Sequence, residues 1–151
     1  MKERWRKFLI PGLVGGILVF TAMAHAGHDE IQRISIQELK TLMDQGADIV
    51  IYDAQVRDVY AKGHIKGAAS LPWKQELEAS DIRLLPKSKD AFIVTYCDCG
   101  PGETDSSDLA AQLTGLGYTN VKILGDPSIR GWKKSGYPLE KGCSETKCPE
   151  P

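Results

Sequence analysis

Apolar residues fall along this chain in short blocks of two kinds. Asp48-Ile49-Val50-Ile51-Tyr52 and Ala91-Phe92-Ile93-Val94-Thr95-Tyr96 are nearly continuous runs, as expected of strands covered on both faces. Val121–Leu124 and Ala68–Leu71, the latter closed by Pro72, read as further short strands. Elsewhere the apolar positions recur every three or four residues. Leu39, Leu42 and Met43 follow the capping-box pattern Ser35-Ile36-Gln37-Glu38 and stop at Gln45-Gly46. Val56–Ala61 predicts a brief helix ended by Lys62-Gly63, and the mixed segment Trp73–Leu85 is helical in part. Leu109, Leu113 and Leu116 mark a longer helix, capped by Thr104 or Asp105 and closed by Gly117; Ile129–Ser135 is a last short one. Strands alternating with helices predict an α/β fold, a central parallel sheet with helices on both faces.

The length of 151 residues suits one domain with short tails. Residues 1–26 read as a secretory signal: basic Met1–Lys7, apolar Phe8–Ala24, then Ala24-His25-Ala26 as a small-x-small cleavage site. The apolar run is also near the shortest length that crosses a bilayer, so an uncleaved membrane anchor is the competing expectation. Either way the body is expected outside the cytoplasm, periplasmic or extracellular. Residues 27–33 read as a polar leader, 34–142 as the domain and 143–151 as a cysteine-containing tail. Lys2, Arg4, Arg6 and Lys7 against Glu3 give the first 26 residues a net +3, so the body carries −4 of the chain's −1. An acidic body with no basic stripe offers no general field for nucleic acid, which is excluded as a partner.

Four cysteines stand in two close pairs, Cys97/Cys99 and Cys143/Cys148. An even number in an exported chain reads as disulfides, and the tail pair fits that reading. Cys97 is placed differently. It is the first residue after the strongest strand and begins Cys97-Asp98-Cys99-Gly100-Pro101-Gly102-Glu103-Thr104, a loop of turn formers that opens a helix. Ligands of open parallel sheets bind beyond the carboxyl ends of the strands. Loop amides and a helix N-terminus favour a thiolate over a thiol there, and they suit a bound anion or a persulfide. Position alone fits equally a cysteine that ends a strand as a small apolar filler.

Further residues carry a resemblance. Asp53-Ala54-Gln55, Tyr60, Gly63-His64-Ile65-Lys66-Gly67-Ala68 and Leu71-Pro72 resemble the first signature of rhodanese-like domains. Leu116-Gly117-Tyr118-Thr119-Asn120-Val121, Gly131-Trp132 and Ser135-Gly136-Tyr137-Pro138-Leu139 resemble the C-terminal one, so the likeness spans Ile31–Gly142. It implies a single rhodanese-like domain, a sulfurtransferase fold that carries sulfane sulfur as a cysteine persulfide, with Cys97 at the catalytic position. Asp98, Gly100, Gly102, Glu103 and Thr104 are then the expected cradle of the persulfide, and Cys99 a resolving thiol or a rival nucleophile. Asp53 is expected to organise loop amides, His64 to be a packed structural histidine and Trp132 a core anchor. Gly63 and Gly67 are expected to serve backbone geometry. No cofactor or metal is implied; the implied partners are a small sulfur donor (thiosulfate, polysulfide or thiosulfonate) and a thiol or cyanide acceptor.

The departures from that pattern matter. Gly102 stands where the resemblance calls for arginine, no arginine occurs between Arg83 and Arg130, and Gln55 replaces the usual arginine of the first signature. The loop is longer than the common form, more so counted from Cys97 than from Cys99. These features count against thiosulfate as the donor. Cys-x5-Arg phosphatase or arsenate-reductase chemistry is excluded, because position 103 is Glu. Two other readings stay open: a Cys97/Cys99 dithiol redox protein, and a non-catalytic module that binds an anion, a soft metal or a partner protein.

Overall fold

The computed structural model describes residues 30–144 and Cys148. The expected signal or anchor, the start of the leader and most of the tail lie outside these residues. Along the chain run β1 (Arg33–Ile34), α1 (Ile36–Asp44), β2 (Val50–Asp53), α2 (Arg57–Lys62), β3 (His64–Ile65) and β4 (Ala69–Ser70). Next come α3 (Ala79–Ile82), β5 (Ile93–Tyr96), α4 (Thr104–Gly115), β6 (Val121–Leu124), α5 (Ser128–Lys134) and β7 (Leu139–Glu140). Five strands form a parallel sheet in the order β1-β6-β5-β2-β4, with β5 at its centre. Among the described helices none is long and apolar enough to cross a membrane.

The expected α/β architecture is present, with corrections of detail. The leader read over residues 27–33 ends in a strand, because Arg33 and Ile34 pair with Ile123 and Leu124 of β6. β3 and β7 form a separate antiparallel pair, His64 opposite Glu140 and Ile65 opposite Leu139. Neither was legible, since a two-residue strand exists only through its partner. α1 starts as the capping box implies, the Glu38 amide donating to Ser35 Oγ at 3.1 Å. α4 does not: its N-cap is Glu103, not Thr104 or Asp105, in a left-handed conformation (φ 44°). Gly63 is extended (φ 161°) with open space where a Cβ would stand, so the expected need for glycine holds for Gly67 (φ 86°) and not for Gly63.

Two layers of side chains cover the sheet. Tyr52, Ile93, Leu109, Leu113 and Ile123 pack on one face beneath α4; Ile34, Leu39, Ile51, Val94, Ile129 and Trp132 pack on the other beneath α1 and α5. Successive strand residues point to opposite faces. Along β5 this sends Ile93 to the α4 layer, Val94 and Tyr96 to the α5 layer, and Cys97 back to the α4 layer. Burying Trp132, Tyr52, Tyr96 and Leu113 fully stabilises each by about 1.5–3 kcal/mol, which makes β5 a rigid support for the loop at its carboxyl end. Trp132 is the expected anchor, fully buried, with its Nε1 donating to Pro138 O at 2.9 Å.

Candidate active site

β5 ends by delivering Cys97 to the start of α4. Thr95 Oγ1 donates to Ser106 O at 2.9 Å and so ties the first turn of α4 to the strand. That tie brings Ser106 Oγ to 3.5 Å from Cys97 Sγ. The Ser106 hydroxyl itself donates to Glu103 O at 3.0 Å, as does the Ser107 amide at 2.8 Å. Within the loop the Glu103 amide folds back to Gly100 O (3.2 Å), with Gly100 at φ 84° and Gly102 at φ 99°. Left-handed backbone suits glycine but costs Glu103 about 1–2 kcal/mol. Its side chain is buried, and Arg33 Nε meets Glu103 Oε2 at 3.3 Å.

Cys97 is joined to Cys99 by a disulfide, their Cα atoms 5.5 Å apart. The sulfur expected as the nucleophile is thus held in a disulfide in this structure. Cys97 is 1% exposed, whereas Cys99 is only half-buried. Both line a pocket of about 190 Å3 with Gln55, Val56, Val59, Asp98 and Asp105. Of the expected cradle only Asp98 lines it, beside the two cysteines. Gly100, Gly102 and Glu103 shape the loop behind it, and Thr104 Oγ1 bonds to Asp105 Oδ1 at 3.3 Å. The arginine missing from the loop does arrive, from α5: Arg130 Nε holds Asp98 Oδ1 at 3.0 Å. It is spent on that carboxylate, and it also reaches Asp126 at 3.6 Å. Ser128 Oγ donates to the Cys97 carbonyl at 3.0 Å.

Asp53 shares the sheet edge with Cys97 but faces the other layer, beside Tyr96 in register. Its Oδ1 accepts from the Gln55 amide and from Gln55 Nε2, each at 2.9 Å, which is the organising role expected of it. Tyr96 donates to the same carboxyl and accepts from the Ile65 amide at 3.0 Å. Burial raises the Asp53 pKa, an effect its hydrogen bonds oppose. With Gln55 in the arginine's place, the hydrogen bonds this carboxyl accepts come from neutral donors. His64 is buried, stacks on Tyr60 at 3.7 Å and meets Tyr60 O through Nδ1 at 3.0 Å, a packed histidine. Among the described residues no group of three or more His, Cys, Asp or Glu is placed to hold a metal ion.

Sequence reasoning missed Ser106, Ser128, Arg33 and Arg130. The first left a trace in the polar pair Ser106-Ser107 of an amphipathic helix; the others act across long sequence separations and left none.

A family model for the rhodanese-like domain matches residues 35–135. The uncharacterized protein YibN of Escherichia coli strain K12 is 30% identical over 95 residues, 63% of each chain. This chain thus spans under two thirds of that relative. The crystal structure of the BH2092 protein from Bacillus halodurans superposes with a TM-score of 0.62 at 26% identity, covering 79% of this chain and 83% of that one. A thiosulfate sulfurtransferase from Pseudomonas aeruginosa gives a TM-score of 0.61 at 27% identity, over 74% of this chain and 20% of that one. With the sheet order, both signatures and the cysteine-bearing loop after β5 in place, the chain belongs to the rhodanese-like domain family.

Proposed function

We propose that this protein is an exported sulfurtransferase that carries sulfane sulfur as a persulfide on Cys97, with Cys99 as the resolving thiol. One observation carries the reading: Cys97 ends the central strand with the Ser106 hydroxyl 3.5 Å from its sulfur, at the first turn of a twelve-residue helix. Once the disulfide is reduced, that hydroxyl, which donates to Glu103 O in the oxidised chain, can turn to donate to the Cys97 thiolate, and the helix N-terminus adds partial positive charge. A hydrogen bond to a charged group contributes about 1.5–3 kcal/mol, which lowers the pKa and raises the nucleophilic fraction. Cys97 attacks the outer sulfur of the donor, the donor's leaving group departs with the electron pair, and a thiol or cyanide then removes the carried sulfur.

The pocket supports a particular class of donor. Val56 is 63% exposed beside two carboxylates, Asp98 and Asp105, and the pocket lining contains no lysine or arginine. Thiosulfate, a dianion, is disfavoured there relative to a polysulfide or an organic thiosulfonate. A second reading, dithiol redox exchange, is favoured by the Cys97–Cys99 bond itself. To separate them, the reduced full chain is treated with an organic thiosulfonate and its peptides are weighed. One added sulfur on Cys97 in Cys99→Ser, where no resolving thiol can displace it, and none in Cys97→Ser, is the expected result. A Cys99→Ser chain that takes up no sulfur, while the parent is oxidised to the disulfide without releasing hydrosulfide, belongs to the redox reading.

A further inference from the structure

The two bonded sulfurs are not equivalent. Cys97 is 1% exposed and Cys99 half-buried, so an incoming reagent meets Cys99 first. Exposed Val56 and Val59 line the pocket that both cysteines share. Stabilisation is arranged the other way round. The Ser106 hydroxyl lies against Cys97 Sγ, Thr95 fixes the carbonyl of the same serine, and α4 begins at Thr104. Thiol–disulfide exchange runs fastest where the attacked sulfur is accessible and the departing sulfur is stable as a thiolate. Accessibility and leaving-group stability thus select the same direction.

We infer that an external dithiol opens this disulfide by attacking Cys99 and expelling Cys97 as the thiolate, so that the chain turns over as a sulfane-sulfur reductase. The inference rests on the persulfide reading for its second half. In the first half a thiolate of the dithiol bonds to Cys99 Sγ, the Cys97–Cys99 bond breaks and its electron pair goes to Cys97 Sγ. The second thiolate of the dithiol displaces Cys99, leaving the reductant as a disulfide and the protein as a dithiol. Cys97 then takes sulfur from a donor persulfide, which leaves as its thiol. Cys99 attacks the inner sulfur of the Cys97 persulfide, expels hydrosulfide and restores the disulfide. The sum is one donor persulfide plus one dithiol giving one donor thiol, one hydrogen sulfide and one oxidised dithiol, with atoms and electrons balanced. Asp98, between the two cysteines and clamped by Arg130, keeps the pair in register for repeated closure.

The oxidised full chain is pulsed with 2-mercaptoethanol, quenched in acid and blocked with N-ethylmaleimide, and position 97 is separated from position 99 by fragment-ion mass spectrometry. The expected product carries mercaptoethanol on Cys99 and maleimide on Cys97, in about ten-fold excess over the reverse. Ser106→Ala should open about ten-fold more slowly, with Ser106→Thr restoring most of the rate. Mercaptoethanol on Cys97, equal labelling of the two positions, or an unchanged rate in Ser106→Ala overturns the inference. The persulfide reading has a separate readout. If reduced Cys99→Ser accepts no sulfur on Cys97 while Cys99 of the parent chain still takes the thiol, directed opening stands and sulfur transfer falls. If Cys97 accepts sulfur but is also the position attacked by mercaptoethanol, the reverse holds.

Discussion

The chain carries two cysteine pairs with the same Cα spacing of 5.5 Å, Cys97/Cys99 and Cys143/Cys148, in opposite kinds of surroundings. The first pair stands at the end of the central strand, with a hydroxyl on one sulfur and a helix start beside it. The second lies beyond β7, where the Cys148 amide donates to Ser144 O at 2.8 Å. Among the described residues, Cys143 Sγ lies 4.0 Å from a carbonyl, Cys148 O. A carbonyl can only accept, whereas the Ser106 hydroxyl can turn from Glu103 O and donate to a thiolate. On the proposed reading, spacing does not separate a reactive pair from a staple; the polar groups beside the sulfurs do.

The largest effect that can break this comparison is on turnover. Cys97→Ser should lower cyanide-linked sulfur transfer by more than about 100-fold, while the double change Cys143→Ser/Cys148→Ser leaves it unchanged. Comparable losses in both proteins would erase the distinction. Ser106→Ala comes next: we expect about ten-fold slower iodoacetamide alkylation of reduced Cys97 at neutral pH, with the pH midpoint moved upward. A midpoint that stays put would remove the hydroxyl from the chemistry. For the tail pair the expected signature is stability, because opening its small loop frees the unfolded chain. The double serine variant should lose about 2 kcal/mol in denaturant melts at constant activity. Arg130→Gln removes a half-exposed ion pair to Asp98 and should cost no more than about 1 kcal/mol by the same melts.

The smallest effect concerns Asp53. Its folded pKa is raised, mainly by burial, so the stability it contributes is full below the unfolded carboxyl range and is lost as pH rises through the folded value. The melting temperature of the parent chain minus that of Asp53→Asn should therefore shrink as pH is raised from acid. A difference constant across that range would contradict the burial argument.

Much of this was legible in the chain because burial writes itself into composition. β2, β5 and β6 are apolar runs, and α4 shows its Leu109 and Leu113 stripe. Cys97 was found because a sheet edge after a central strand is a predictable place. What stayed hidden depends on contacts between distant segments. β1 needs β6, and β3 needs β7. Arg33 reaches Glu103 across seventy residues, and Ser128 reaches the Cys97 carbonyl across thirty-one. The same remoteness explains the misplaced cap of α4. Only the ion pair with Arg33 and the turn onto Gly100 O account for a glutamate holding a glycine-like backbone there.

The alternation along β5 has a consequence for how this loop can vary. Because Thr95 and Cys97 share one layer while Tyr96 belongs to the other, the sulfur's surroundings are decided by parity. Two residues added before Cys97 would keep its orientation, but one would turn it toward Trp132 and away from Ser106. Length changes after Cys99 are free of that constraint, which locates the tolerance for an unusually long loop on the far side of the cysteines.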